Sequence, residues 1–154
     1  MARDHARVLV SIWGDDDWRA LPAQAQRVYI LALSQPGLSY AGVVPYLPGR
    51  WSKLSSDTSP ASIKRSLNIL EERDFVVIDT DTEELFIRTF VKNDNVLRFP
   101  NVAVSMARAY RQIASTAIRK SFIAELRDLA NKPETKDLAG WTHVEVAALL
   151  LEKP

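Results

Sequence analysis

Lys64, Arg65 and Asn68 lie close together on a segment whose apolar residues, Ile63, Leu67 and Leu70, recur at helical spacing. On such a helix the apolar stripe faces inward and the polar side chains face outward. A lysine or arginine there can meet a phosphate or a guanine edge, and an asparagine can pair with adenine. Ser59-Pro60 supplies a cap and a first-turn proline, so the helix is expected over 59–73. Ser59 and Ser62 then sit at a helix start, where backbone amides favour phosphate. Arg50 and Lys53, on a short preceding helix, could clamp a phosphate backbone.

Other chemistries lack residues. There is no Cys and only two His, His5 and His143. Thiolate catalysis, thiolate zinc sites and mechanisms needing several imidazoles are therefore out. Asp15, Asp16 and Asp17 form a turn or helix start, with no further carboxylate or His spacing to complete a metal site. Ser55, Ser56 and Ser59 have no paired base or nucleophile elbow. Gly14, Gly37, Gly42, Gly49 and Gly140 are scattered and make no phosphate loop. The expectation is a non-catalytic protein with no metal and no cofactor. The four tryptophans read as core or edge residues.

The elements that must position the basic face follow from the same periodicities. Arg7–Trp13 is rich in β-branched and apolar residues and is predicted to be a strand. Ala25, Val28, Tyr29 and Ala32 mark a helix over 22–34, stopped by Gln35-Pro36-Gly37. A very short strand is expected within 38–46 and a two-turn helix over 48–55. After helix 59–73 come strands 75–78 and 84–91, joined by an acidic turn. The remainder reads as helical. Val102, Met106, Ala109 and Ile113 share one face. Ser115 caps a helix carrying Ile118, Phe122, Leu126 and Leu129. Thr142-His143-Val144-Glu145 has capping-box form before a last helix.

With 154 residues, 47% of them apolar and 25% charged, the chain is expected to be a globular domain with a small appendage. No stretch suits a membrane span or a signal core, so a cytoplasmic protein without membrane contact is expected. The net charge of +1 excludes a histone-like protein but leaves room for a local basic face.

Helix, strand, helix, turn, helix, strand, hairpin, strand is the order of a winged helix-turn-helix. The expected fold class is therefore α+β: a winged helix over 7–97 with an N-terminal strand, then a helical extension over 98–154. The segments RVLVSIWGDDDWRAL, LSYAGVVP, EELFIRTFV and RFPNV resemble winged-helix proteins of actinobacteria and their phages, over about residues 7–130. Those proteins are described as helix-turn-helix DNA-binding or replication-initiation proteins. The resemblance implies double-stranded DNA as partner, in transcription control or replication initiation, with the third-helix role falling on Ser59 to Asn68.

Charge placement complicates that picture. The hairpin Asp79–Glu84 carries four acids and no base, and such a wing would be repelled by phosphate. Either it points away from DNA, or the module binds a protein, recruiting or inhibiting a replication or host factor. Residues 98–127 hold Arg98, Arg108, Arg111, Arg119, Lys120 and Arg127 against Glu125 alone. This tail is expected to add backbone contacts, with Arg98, Arg108 and Arg111 as candidates, or to mediate a homodimer through Met106, Tyr110 and Phe122.

Overall fold

The computed structural model describes residues 3–154. Among them are eight α-helices, three 3-10 helices and one three-stranded antiparallel sheet. In chain order these are the 3-10 helix Val10–Gly14, α1 (Asp16–Arg19), α2 (Ala23–Leu33), β1 (Val43–Pro45), α3 (Pro48–Ser52), α4 (Pro60–Glu72), β2 (Val76–Asp79), β3 (Glu84–Ile87), α5 (Phe90–Asn93), the 3-10 helix Val96–Arg98, α6 (Pro100–Tyr110), α7 (Thr116–Asn131), the 3-10 helix Ala139–Thr142 and α8 (Val144–Leu149). The sheet order is β1-β3-β2, with Val43 opposite Phe86 and Val76 opposite Ile87.

Local chemistry accounts for most helix boundaries. The Asp15 side chain accepts hydrogen bonds from the amides of Asp17 and Trp18, capping α1. Ser59 caps α4 through the Ser62 amide, and Ser115 caps α7 through the Ile118 amide. α4 ends in a Schellman arrangement: Phe75 N–H reaches Leu70 C=O and Asp74 N–H reaches Glu71 C=O. Asp74 occupies the left-handed position, at φ +64°, where glycine is the usual residue. α8 is capped by the His143 ring, whose Nδ1 accepts from Glu145 N–H, whereas Thr142 bonds back to Ala139. The capping box expected from Thr142 does not form: His143 is the cap, and the Glu145 carboxylate meets Arg111 and Arg108 instead.

Two expected strands are absent in whole or part. Residues 7–13 form no strand: Leu9 C=O accepts from Ile12 N–H, and the chain coils into a 3-10 helix with Val10 90% exposed. The sheet offers no edge for them. On the β1 side, Ser39 bonds to both the carbonyl and the amide of Val43. On the β2 side, the Glu71 carboxylate takes the Ile78 amide at 2.7 Å. The expected strand 84–91 stops at Ile87, and residues from Phe90 turn helical. Phe90 comes back over Gly42, whose φ is +82° and where an added Cβ would lie 2.8 Å from Phe90 Cβ. Tertiary packing here overrides the strand propensity of Phe90 and Val91.

The C-terminal helices close over the sheet. Phe86 of β3 meets Phe122 of α7 at 5.9 Å between ring centroids, and Phe122 stacks on Tyr110 of α6 at 5.1 Å. One apolar core runs through residues on both sides of position 97, and the expected boundary between 97 and 98 falls inside a 3-10 helix. Met106, Tyr110 and Phe122 are all within 1% of full burial. They are core residues rather than a dimer contact, because the chain's own helices and sheet already bury them. Burial of Phe122 alone contributes about 1.5–3 kcal/mol.

Candidate nucleic-acid interface

α4 packs on α3, α2 and β2. Ile63, Leu67 and Leu70 are at most 1% exposed, which fixes the rotation of the helix about its axis. Lys64, Arg65 and Asn68 are therefore directed to solvent, and all three are exposed. Among the described residues, no acid lies within ion-pair distance of Lys64 or Arg65. Two cations and an amide thus share one open helix face.

The helix start is partly used up. Pro60 has no N–H, and the Ser62 amide is taken by Ser59 Oγ at 3.2 Å. Among first-turn amides only that of Ala61 lacks an intrahelical acceptor. Ser59 is exposed and Ser62 half-buried, so their hydroxyls remain at the surface while Ser59 serves as cap.

The turn leading into α4 is stitched internally. Ser52 Oγ donates to Gly49 C=O, Thr58 Oγ1 donates to Ser52 C=O, and Arg27 of α2 donates to Ser55 Oγ. Arg27 carried no signal in the sequence, since its partner lies across the turn. Arg50 and Lys53 stay exposed on α3 and at its C-cap, beside α4. Trp51, on the same short helix, is 1% exposed and belongs to the core.

The basic tail is arranged differently. Arg108 and Arg111 both meet Glu145 of α8, at 3.5 and 3.0 Å. These two guanidinium groups hold the Glu145 carboxyl below its ordinary value of 4.5. Arg119 lies over the Tyr110 ring, and Arg127 donates to the carbonyls of Leu150 and Glu152, closing the end of α8. Arg98 remains exposed, its guanidinium over the Phe99 ring at 5.8 Å. α6 packs on α8 and two 3-10 helices, so the fold does not gather Arg108 and Arg111 with the α4 face.

The acidic hairpin has an internal explanation that the sequence did not reveal. Asp79 and Glu84 are paired across β2 and β3. Glu84 accepts from the amides of Ala114 and Ser115 at 3.1 and 2.8 Å, at the start of α7. The Ser115 hydroxyl, then the Thr82 amide, hold the Asp79 carboxyl below the usual carboxylate range. Glu84 therefore faces the positive end of a helix, while Asp79 accepts from the Asp81 and Thr82 amides within the turn. Asp81 and Glu83 stay exposed at the tip.

No protein family, curated protein or solved structure matches the chain. Among the described residues, no group of three or more His, Cys, Asp or Glu could hold a metal ion. Among them also, no helix is long and apolar enough to cross a membrane.

Proposed function

We propose that the segment from α2 to β3 is a winged helix-turn-helix that binds double-stranded DNA without catalysis, in the cytoplasm, in transcription control or replication initiation. α4 enters the major groove, which is wide enough for a helix. Lys64 and Arg65 meet phosphate or guanine, Asn68 reads a base edge, and Arg50 and Lys53 hold the backbone. The observation that carries this reading is the unpaired, exposed state of Lys64 and Arg65 on a helix seated by Ile63, Leu67 and Leu70.

The sheet order supports the same reading, since a hairpin laid beside a three-helix core is the form of a winged helix. The acidic hairpin does not oppose it. Glu84 accepts from two amides at the start of α7, so this wing has a structural task and DNA contact rests on α4. A mobility shift against random and genomic duplex at several salt concentrations tests the proposal. Retention of duplex, with affinity falling steeply as salt rises, is expected. No retention at low salt overturns it.

A further inference from the structure

At the far end of α4 from its basic residues lies a groove of about 570 Å³. Its floor is aromatic: Trp18 packs edge-on against Tyr29 at 5.4 Å and Phe75 at 6.2 Å. Trp13 stands against Trp18 at 6.0 Å and is itself 59% exposed, so the aromatic surface continues out of the groove. Trp18 is 1% exposed, yet its Nε1–H finds no acceptor among the described residues. Asp15, Asp17, Glu72 and Asp74 line it, with Arg73 and Lys92 as the cations in the lining. Asp15, Asp17 and Glu72 have no cation within ion-pair distance among the described residues.

We propose that this groove docks a cationic peptide segment of another protein, with an apolar side chain against the half-buried Phe75 and the exposed Trp13 and Lys or Arg against Asp15, Asp17 and Glu72. Aromatic rings beside carboxylates that have no ion-pair partner among the described residues suit a ligand carrying both greasy and positive groups, because rings attract cations and acids fix them. The same acids repel phosphate, which sets this surface apart from the α4 face. Ser62 and Glu72 are separated by about 15 Å along the helix at 1.5 Å per residue. The basic residues Lys64 and Arg65 and the acids of the groove therefore lie toward opposite ends of one helix. The inference does not depend on the DNA reading.

Indole N–H resonances of the ¹⁵N-labelled full chain provide the test. Trp51 and Trp141 lie outside the groove lining, and Trp141 Nε1 donates to Thr135 C=O, so both serve as internal references. The probe is a short soluble peptide of interspersed lysine and leucine. Its counterparts carry serine for leucine or glutamate for lysine. The lysine–leucine peptide should shift Trp13 and Trp18 saturably and leave the references still. Binding should weaken on the order of tenfold with either counterpart and with the Asp15→Asn/Asp17→Asn/Glu72→Gln variant. Lys64→Ala/Arg65→Ala should leave it unchanged. Silence of Trp13 and Trp18, or an equal response to the glutamate peptide, overturns the proposal. So do shifts on concentrating the protein alone, which would give the groove to a second copy, or on adding duplex DNA.

Discussion

Asp79 and Glu84 face each other across the hairpin, and the Glu84 carboxylate accepts from the Ser115 amide at the start of α7. Like charges directly opposite on a sheet repel. Here the positive helix end offsets that repulsion and ties the hairpin to the C-terminal helices. Glu84→Ala should lower the unfolding free energy by about 1–2 kcal/mol, the scale of hydrogen bonds to a charged group. Urea denaturation checks this, and an unchanged midpoint would remove Glu84 from the list of structural supports.

For the α4 face, Lys64→Ala/Arg65→Ala should leave the far-ultraviolet circular dichroism intact, because both side chains are exposed. Each lost phosphate contact should flatten the plot of log affinity against log salt by about one unit. Duplex binding that keeps its slope in the double variant would show that the DNA face lies elsewhere.

Arg108→Ala/Arg111→Ala should leave that slope unchanged, since Glu145 holds both cations. A flatter slope would return them to the interface. Their contribution to stability has a defined pH window. The folded-state carboxyl of Glu145 lies below 4.5 and that of Asp79 below 3.8. A depressed pKa contributes stability above the unfolded value that is lost as pH falls through the folded one. Acid unfolding should therefore begin below about pH 4.5, and Glu145→Gln should make that limb shallower in a pH series of thermal melts.

Gly140 has no room for a side chain. An added Cβ would lie 2.5 Å from Leu97 O and 2.8 Å from Ala103 Cβ. Gly140→Ala should cost about 1–3 kcal/mol, because backbone rather than a flexible side chain must move. A melting temperature equal to that of the parent would contradict so close an approach.

Asp74 predicts the opposite sign. Glycine at this left-handed position avoids a Cβ penalty of roughly 1 kcal/mol. The ion pair it would forfeit, Asp74 with Arg88 at 3.6 Å, is 82% exposed on the Asp74 side and worth little. Asp74→Gly should be neutral or stabilising by up to about 1 kcal/mol in denaturant titration. A clear loss would mean that the Arg88 contact outweighs backbone strain.

Much of the helical architecture was legible because its signals are local. Ser59-Pro60 opens α4, Ser115 opens α7, and the spacing of Ile63, Leu67 and Leu70 orients the helix that presents Lys64, Arg65 and Asn68. Arg7–Trp13 forms no strand despite its composition, because β-branched residues pair into a strand only where a sheet edge is free. Ser39 and Glu71 occupy those edges.

The chain by itself thus determined which residues form helices and which side of α4 carries the cations, since spacing and caps act within a turn or two. Only the tertiary structure decided which charges stay free. Glu84 meets Ser115 from 31 positions away and Glu145 meets Arg111 from 34, and nothing in the linear order announces either pairing. An ion pair depends on where two surfaces meet, and packing of the apolar core sets that meeting.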